Sequence, residues 1–398
     1  MLQIDFKILK QIVNIFDSET INIISKDNSI YLVTDSMGKI YKIPNIFCNI
    51  IQDMNFNISS IFIKKLQEKI LTGTLQFSYS EKKEILFDKS EYEDGSLVTK
   101  RIPLPCSLLD VSYSDYKLRT LLKYNLSTID LKDFDKYIET INTLEFQEIT
   151  PEFFLDHLEL LLSVTSKTKT TENLKVINYE IKNNNLRKSS TDGYKLAIIN
   201  NPINLKDMSF NILVEDIENI KKLITTEKPT NLSFALEDFN FYLKVNGSIY
   251  KYYLSERPFP TIDRIEPSLS DYRIYDSKEL AKILKLCISK VDKVPTVKLI
   301  LDTTGTLTLT SSNAEGDKFL SEGIESLNKD KKLYYEINVN TQFFETLLSK
   351  NKKMELVRVY YDPSSHLKPI VLVDNLMINE SLSLFKQSQV AMLMPVRG

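Results

Sequence analysis

The residues that most often perform acid–base or metal chemistry are scarce in this chain. Two histidines occur, His157 and His366, and neither has a second histidine or a cysteine at a spacing typical of metal ligands. His157 lies in an amphipathic pattern that predicts the border of a helix, and His366 lies in a turn-like stretch. The three cysteines are far apart and predict neither a disulfide framework nor a metal cluster. The sequence therefore predicts no bound metal.

Signatures of phosphate and acyl chemistry are also absent from the sequence. It contains no G-x-x-x-x-G-K-[ST] loop, no G-x-G-x-x-G turn after a strand and no G-x-S-x-G elbow. Glu91, Glu93 and Asp94 could form a paired-carboxylate site, but they precede Gly95 and are typical of a solvated turn. Scattered carboxylates leave a metal-dependent nuclease open as a hypothesis. Otherwise the sequence favours a protein that is not an enzyme and needs no cofactor.

Length and composition indicate a folded protein of several domains. At roughly 100–200 residues per domain, 398 residues predict two to four domains. The chain is 42% hydrophobic and 26% charged, which excludes wholesale disorder. Its formal net charge of −2 excludes a generic polycation, but a nucleic-acid surface is possible if charge is segregated onto one face. No apolar run approaches the roughly 20 residues that span a bilayer, and Asp5 interrupts the segment where a signal peptide would be apolar. A cytoplasmic protein without membrane contact is expected.

Short amphipathic helices alternate with many short strands, and this pattern predicts an α+β fold rather than a parallel βαβ sheet. Three helices, at about residues 5–16, 151–164 and 277–289, are each followed by a strand–turn–strand pattern. The order suggests a threefold internal repeat with boundaries near residues 145 and 268. A second helix is predicted in each repeat, at about residues 58–69, 215–224 and 340–349.

Lysines recur on the polar faces of the predicted helices. In the 277–289 helix, three lysines fall within about 60° of one another, opposite an apolar stripe. A solvated face is the ordinary interpretation of one such helix, but repetition across the units favours a surface that attracts phosphates. The 151–164 helix is acidic instead, through Asp156 and Glu159. The lysines expected on this surface are Lys7, Lys10, Lys64, Lys65, Lys222, Lys278, Lys282 and Lys285.

Three short segments are more specific in combination than any one of them alone. Residues 190–197 read S-T-D-G-Y-K-L-A, residues 259–267 read F-P-T-I-D-R-I-E-P, and residues 392–398 read M-L-M-P-V-R-G. Taken singly, they are typical of a hairpin turn, a connector between domains and a final strand.

In this order the three segments resemble the β sliding clamp family, the processivity factors of bacterial DNA polymerase III. That family has an A-T-D-G-H-R-L-A-like turn, an F-P-D-Y-R-x-(V/I)-x-P connector and an M-P-M-R-like end. Residues 174–181 and 337–340 are also similar to family segments. The resemblance extends from about residue 145 to 398 and is weak in residues 1–144, where residues 112–142 look like an added helical segment.

The resemblance implies a DNA clamp fold of three similar domains, each with two helices on an outer antiparallel sheet, at residues 1–144, 145–268 and 269–398. Two chains would close head-to-tail into a ring whose helices face the DNA. The lysines would attract phosphates without reading bases, so that the ring slides and is retained topologically. The implied partners are double-stranded DNA, a DNA polymerase, a clamp loader, other proteins with clamp-binding motifs and a second copy of this chain as a homodimer.

The resemblance also implies a pocket between domains 2 and 3 that binds short, partly apolar linear motifs. Leu, Ile and Met would line an adaptable hole for a Leu or Phe anchor, with basic residues at its rim. Tyr194 stands where the family has His, and Lys195 where it has Arg. Met392 and Leu393 enlarge a pair that is usually small, and Gly398 replaces a terminal apolar residue. A pocket of altered shape that still binds a peptide is expected. The residues carried over by position are Leu174, Thr191, Gly193, Tyr194, Lys195, Leu196, Pro260, Arg264, Ile265, Met392, Leu393, Met394, Pro395, Val396 and Arg397.

Two other hypotheses remain besides the ring clamp. A clamp-like monomeric adaptor would keep the peptide pocket without encircling DNA. The divergent residues 1–144 and the acidic 151–164 helix favour this adaptor, whereas the basic 277–289 helix disfavours it. The metal-dependent nuclease is the second hypothesis, but the sequence lacks a P-D…(D/E)-x-K arrangement.

Overall fold

The chain forms two compact units, Met1–Phe153 with Asn219–Tyr253 and Phe154–Glu218 with Leu254–Gly398. The division into three domains at residues 145 and 268 stays a prediction. The computed structural model describes residues 2–16, 18–34, 40–43, 47–51, 54–67, 74–93, 96–113, 116–123, 130–166, 171–246, 248–267, 271–290, 296–312, 318–321, 323–328, 334–350, 354–362, 364–365 and 368–396.

The α-helices of the described residues are short and amphipathic, as the sequence predicts. Polar residues cap several of them: the Asp130 side chain accepts from the Lys132 backbone N–H, and the Asn340 side chain accepts from Phe343 N–H. The helices are α1 (Phe6–Phe16), α2 (Ser60–Gln67), α3 (Leu131–Thr143), α4 (Glu152–Leu155), α5 (Leu158–Val164), α6 (Val214–Glu227), α7 (Ser277–Lys290) and α8 (Thr341–Ser349).

Antiparallel strands make up the rest of both units. Numbered along the chain, they are β1 (Leu2–Asp5), β2 (Thr20–Lys26), β3 (Ser29–Thr34), β4 (Ile40–Ile43), β5 (Cys48–Ile50), β6 (Asn55–Ser59), β7 (Thr74–Glu93), β8 (Ser96–Tyr113), β9 (Tyr116–Lys123), β10 (Gln147–Ile149), β11 (Val176–Lys182), β12 (Asn185–Thr191), β13 (Lys195–Pro202), β14 (Met208–Leu213), β15 (Leu232–Glu237), β16 (Asn240–Val245), β17 (Ser248–Tyr253), β18 (Asp271–Asp276), β19 (Thr296–Leu301), β20 (Thr306–Ser312), β21 (Lys318–Leu320), β22 (Ile324–Glu325), β23 (Tyr335–Asn340), β24 (Leu356–Tyr361), β25 (Ile370–Asp374) and β26 (Gln389–Leu393).

The first unit contains three sheets. Their strand orders are β5-β1-β7-β8-β9, β4-β3-β2-β6 and β10-β15-β16-β17. Helix α1 buries Phe6, Leu9 and Val13, which are spaced three and four residues apart, as expected for one face of a helix.

A long hairpin and a strand replace part of the helical segment expected at residues 112–142. Strands β7 and β8 pair from Gln76 opposite Ser112 to Glu93 opposite Ser96, and β9 pairs with the C-terminal part of β8. Helix is found at Leu131–Thr143, so the expectation was wrong for residues 112–113 and 116–123. The stretch Tyr116–Lys123 reads YKLRTLLK, whose apolar spacing fits helix and strand alike, and pairing with β8 decides in favour of strand.

The second unit contains an eight-stranded sheet in the order β14-β11-β12-β13-β26-β25-β24-β18, and a smaller sheet in the order β21-β20-β19-β23, with β22 paired to β20. In the larger sheet, β13 pairs with β26, so that Leu196 lies opposite Met392. This pairing joins strands from the predicted second and third domains into one sheet, because it brings residues 195–199 against residues 389–393.

The helix predicted at residues 151–164 is interrupted. Helices α4 and α5 are separated by Asp156 and His157, and His157 has the left-handed φ of 54°. A residue with positive φ cannot continue a right-handed helix, so the expectation of one continuous helix was wrong. Among the described residues, no helix is both long and apolar enough to cross a membrane.

Candidate functional site

The turn between β12 and β13 is organised by the Asp192 carboxylate. Its Oδ1 accepts from the backbone N–H groups of Tyr194 and Lys195, at 2.8 Å each. Gly193 has a φ of 87°, a conformation that an L residue rarely adopts, and its N–H donates to Thr191 Oγ1 at 3.0 Å. The turn therefore holds Tyr194 on the surface, where it is 57% exposed.

One face of the eight-stranded sheet carries an apolar cluster that includes two of the predicted pocket residues. Leu196 and Met392 are 1% and 2% exposed and form a cross-strand pair at its centre. Met394, Phe259 and Leu384 pack against its edge. We call this group the docking cluster: Leu196, Ile198, Ile262, Tyr360, Val371, Val373, Phe385, Val390 and Met392.

Strand alternation places two of the predicted pocket residues on the opposite face of the sheet. Successive residues of a strand point to opposite faces, so Lys195 and Leu393 face away from Leu196 and Met392. The Lys195 Nζ donates to the Ser163 carbonyl of α5 at 2.8 Å and lies 4.2 Å from the centroid of the Phe343 ring of α8. Because its ammonium is held inside the unit, Lys195 does not form the basic rim that the sequence analysis expected of it.

The connector between the predicted second and third domains crosses the edge of the docking cluster. It forms a single 3-10 turn, Ile262–Ile265, in which Ile262 is buried and Ile265 is 52% exposed. Pro260 is half-buried and Arg264 is exposed. Asp263 fixes the turn through an ion pair with Arg187 of β12 at 2.7 Å. Arg264 and Ile265 are thus presented beside the cluster without being part of it.

The C-terminal tail continues along the turn of β12 and β13. The Met394 N–H donates to the Tyr194 carbonyl at 2.9 Å, and the Val396 N–H donates to the Asn338 carbonyl at 2.9 Å. Met394, Pro395 and Val396 are all half-buried, and Arg397 lies outside the described residues. The tail therefore supplies a semi-exposed apolar border to the docking cluster.

Leu174 is half-buried in a 3-10 turn, Glu172–Leu174, that precedes β11. Ser255 Oγ donates to Glu172 Oε1 at 2.6 Å, and Asn173 Nδ2 donates to the Pro258 carbonyl at 3.5 Å. These bonds tie the turn to the start of the connector.

Two polar cavities adjoin the docking cluster. One measures about 690 Å³ and the other about 530 Å³, and both are lined by Asp263, Glu266 and Leu382. Glu180 lines the first cavity together with basic residues such as Arg187 and Lys386, whereas the second has Glu380 and, among the described residues, no basic residue in its lining.

The predicted DNA-facing lysines are mostly exposed on their helices. Lys278, Lys282 and Lys285 are exposed on α7, whose Leu280, Leu284 and Cys287 are buried. Lys7, Lys64, Lys65 and Lys222 are exposed on α1, α2 and α6, and Lys10 is half-buried. Within the first unit α1 packs on α2, and within the second α7 and α5 pack on α8. The α7 lysines form the clearest basic ridge.

One of the two acidic residues of the predicted 151–164 helix, Asp156, forms hydrogen bonds inside the second unit. Asp156 Oδ2 accepts from Asn201 Nδ2 at 3.1 Å, and the Asp156 carbonyl accepts from Lys188 Nζ at 2.7 Å. Glu159 is exposed. Among the described residues, no group of three His, Cys, Asp or Glu side chains is placed to hold a metal ion.

Several residues in and around the docking cluster are not among the pocket residues predicted from the sequence. Phe259 and Ile262 lie three residues apart inside the quoted connector, a spacing that places both on one face of a tight turn and that could have identified them. Phe385 lies in none of the three resemblance segments. Its signal is that residues 375–388 interrupt two apolar strand patterns, V-L-V-D and Q-V-A-M-L.

Comparisons with known proteins agree with this architecture. No family model matches the chain. A curated β sliding clamp of Rickettsia felis is 24% identical over 263 residues, which cover 61% of this chain and 67% of that protein.

Solved clamp structures cover the whole chain. A putative DNA polymerase III β subunit of Eubacterium rectale aligns over 100% of both chains with a TM-score of 0.75 and 16% identity. The β subunit of Thermotoga maritima aligns over 100% of both with a TM-score of 0.73 and 15% identity. A C. crescentus β sliding clamp with PEG bound to its putative β-motif tethering region aligns over 100% of this chain and 99% of that one, with a TM-score of 0.70 and 14% identity. This chain has the DNA clamp fold, and part of its sequence is similar to that of a bacterial β sliding clamp.

Proposed function

We propose that this chain is a DNA sliding clamp, a processivity factor that tethers a DNA polymerase and other replication proteins to duplex DNA and catalyses no reaction itself. The observation that carries the proposal is the likeness of the whole chain to DNA polymerase clamps, with all of its length covered. Two copies close head-to-tail into a ring, and a docking site in the second unit receives linear motifs from the partners.

The α7 ridge gives this function a physical basis. Lys278, Lys282 and Lys285 offer mobile ammonium groups on one side of an exposed helix, without the planar, bidentate geometry that reads a base edge. Diffuse attraction of this kind is independent of sequence and permits sliding. The net charge of −2 limits the overall attraction, so that retention depends on the ring rather than on tight binding.

The docking site consists of the edge of the docking cluster together with the exposed residues around it. Met394 and Ile265 offer apolar surface, Arg264 offers a cation, and the Thr191–Lys195 turn brings the backbone close to a ligand at Gly193. Burial of one Leu or Phe anchor beside Leu196 and Met392 supplies the affinity, as is usual for hot spots in protein interfaces.

The first test is the mass in solution, measured by light scattering after gel filtration over a range of concentrations. A value of about twice 46.1 kDa that persists on dilution is expected for the ring. A mass that stays near one chain at high concentration would contradict the ring and favour the monomeric adaptor.

Topological retention is tested on linear duplex DNA with ends that can be blocked. A ring that threads over free ends should stay on the DNA in high salt only when bulky proteins then block both ends. Loss in high salt regardless of the ends would contradict encirclement.

The basic ridge is tested with matched charge reversals. Lys278→Glu with Lys282→Glu should weaken binding to duplex DNA at low salt and reduce the slope of log affinity against log salt by about one to two. The control, Lys182→Glu with Lys206→Glu, makes the same charge change at exposed positions outside the helices. Equal effects from both pairs would show that net charge, not the α7 ridge, governs DNA binding.

A further inference from the structure

Residues 375–388, which we call the strap, connect β25 to β26 and lie against the docking cluster. The strap contains two 3-10 turns, Asn375–Met377 and Leu384–Lys386. Three of its apolar residues, Ile378, Leu384 and Phe385, pack into or against the docking cluster. Three others, Leu376, Met377 and Leu382, are 60%, 61% and 42% exposed.

The first half of the strap is held by side-chain hydrogen bonds and not by backbone pairing between strands. Arg358 of β24 donates through Nε to Asn375 Oδ1 at 2.7 Å and through Nη1 to Glu380 Oε1 at 2.6 Å. Its guanidinium lies 4.3 Å from the centroid of the Tyr272 ring and donates to the Tyr360 hydroxyl at 3.4 Å. Burial raises the pKa of Tyr360, although Arg358 opposes the shift, so the phenol stays neutral.

The second half is held around Gln387. Its Nε2 donates to the carbonyls of Asn379 and Leu382 at 2.8 and 3.0 Å, and its Oε1 accepts from the Asn379 N–H at 2.8 Å. These bonds join residues of the strap to one another. The strap is tied to β13 by Asn200, whose N–H donates to the Ser388 carbonyl at 2.9 Å and whose Nδ2 donates to the Gln387 carbonyl at 2.7 Å. Each such bond contributes about 0.5–1.5 kcal/mol net.

Phe385 is bound in the way that a short peptide ligand would be. Its side chain is 2% exposed inside the docking cluster, and Leu384 packs beside it. Its backbone N–H donates to Glu266 Oε1 at 2.7 Å, and its carbonyl accepts from Asn200 Nδ2 at 3.1 Å. An apolar anchor is therefore buried while side chains of the surrounding strand and connector form hydrogen bonds with its backbone.

We propose that Leu384 and Phe385 are a built-in ligand of the docking site, so that a partner's linear motif binds only when it displaces the strap. This inference rests on the proposed function, since it assigns a regulator to the same site. The strap is an autoinhibitory contact and also sets specificity, because a partner must bury more apolar surface or make better polar contacts than Leu384 and Phe385 do.

Exchange of one anchor for another is feasible because it conserves burial. A Phe or Leu from a partner recovers the apolar area that Phe385 gives up. The strap has the advantage of its covalent connection, which corresponds to an effective concentration on the order of millimolar. The apparent affinity of an external peptide falls in proportion to the fraction of molecules whose strap is open.

The test measures binding of a fluorescent synthetic peptide with the sequence of residues 379–388 to the full chain, by anisotropy. The same peptide with Ala in place of Leu384 and Phe385 is the control ligand. Phe385→Ala should raise affinity for the first peptide by about tenfold or more, because it empties the site. Since that change also opens a buried position, Asn375→Ala provides a second variant: it removes a tie to Arg358 that lies outside the sequence of the peptide, and it leaves Phe385 in the chain.

Leu376→Ser is the matched control within the strap, because Leu376 is exposed and lies outside the docking cluster. It should leave peptide affinity unchanged. Gains in Phe385→Ala and Asn375→Ala, without a gain in Leu376→Ser, would support the inference.

Two results would overturn it. If the wild-type chain binds the peptide as tightly as both variants, and Met394→Ala weakens that binding, the docking site operates but the strap does not occupy it, and the proposed function stands. If no variant binds the peptide, the strap is not a ligand of this site. The solution mass and the retention on end-blocked DNA then decide independently whether the chain is a clamp.

Discussion

Two apolar clusters of this molecule consist of similar types of residue but are covered by different kinds of element. The docking cluster of the second unit is covered by one 3-10 turn and the strap. In the first unit, a cluster of comparable size is covered by α3 and is here called the helix-covered cluster. Its residues are Ile24, Tyr31, Val33, Ile40, Phe134, Tyr137, Ile141, Ala235 and Tyr242.

Helix α3 makes a permanent cover because its contacts are regular and mutually dependent. Phe134, Tyr137 and Ile141 recur at helical spacing and are all buried. The Phe134 ring meets Tyr31 edge-on at 5.0 Å, and Lys251 Nζ lies 5.3 Å from the centroid of the Tyr137 ring. Lys26 pairs with Asp135 at the helix surface. To release any one of these side chains, most of the helix must move.

The docking cluster has no such continuous cover. Ile262 is the buried residue of its 3-10 turn, and the rest of the cover is a strap fastened through Arg358, Asn200 and Glu266. A turn or strap can detach residue by residue, whereas a helix unfolds cooperatively. The two clusters therefore differ in how their covers can move: α3 releases its side chains as a unit, whereas the strap can release them one at a time.

The largest expected effect is loss of the permanent cover. Phe134→Ala should lower the free energy of unfolding by about 3–5 kcal/mol, because it removes a fully buried aromatic ring from the helix-covered cluster. Denaturant unfolding followed by tyrosine fluorescence measures this loss. Peptide affinity of the folded protein should be unchanged, and a large change would mean that the two clusters are not independent.

The next largest effect is expected for Leu393, the last residue of β26, which is compared with its neighbour Met394 on the opposite face. Leu393→Ala should lower the free energy of unfolding by about 2–5 kcal/mol, since Leu393 is fully buried on the helix side of the sheet.

Met394→Ala should change peptide affinity more than stability. Met394 is half-buried at the edge of the docking cluster, so stability should fall by about 1 kcal/mol, while peptide affinity in the Phe385→Ala background should fall about tenfold. Calorimetric melting and peptide anisotropy on both variants give the comparison. If Leu393→Ala weakened peptide binding more than Met394→Ala, the assignment of faces would be wrong.

The smallest effect is expected at exposed aliphatic residues of the two covers. Ile265→Ser should change stability by no more than about 0.5 kcal/mol, because Ile265 is 52% exposed, but should weaken peptide binding about fivefold in the same background. Leu131→Ser in α3 is the matched control at 47% exposure and should leave peptide binding unchanged. Equal peptide affinities for the two variants would show that Ile265 is not part of the docking site.

Much of the local structure could be predicted from the sequence. The helices expected at about residues 5–16, 58–69, 277–289 and 340–349 are found at Phe6–Phe16, Ser60–Gln67, Ser277–Lys290 and Thr341–Ser349. Their apolar spacing is strong, and tertiary packing reinforces it rather than overriding it. The helix at residues 151–164 was predicted without its break, because nothing in the sequence marks His157 as a residue of positive φ.

The candidate site could be predicted only in part, for a geometrical reason. The segments around Gly193, Pro260 and Met394 carry recognisable turn and connector chemistry, so their proximity could be anticipated from the resemblance. That Lys195 and Leu393 lie on the opposite face of the sheet from the docking cluster could not be anticipated, because the face on which a strand residue lies depends on the pairing register.

The sequence by itself determined the α+β class, the amphipathic helices and the lysines on their polar faces, because these depend on the spacing of residues near one another in the chain. Which apolar cluster is covered by a helix and which by a strap follows only from the tertiary structure. That outcome depends on contacts between distant residues, such as Phe385 with Glu266 and Asn200, which join elements 119 and 185 residues apart. Local sequence cannot report such contacts, because any apolar pair can be buried and only the assembled sheet determines where.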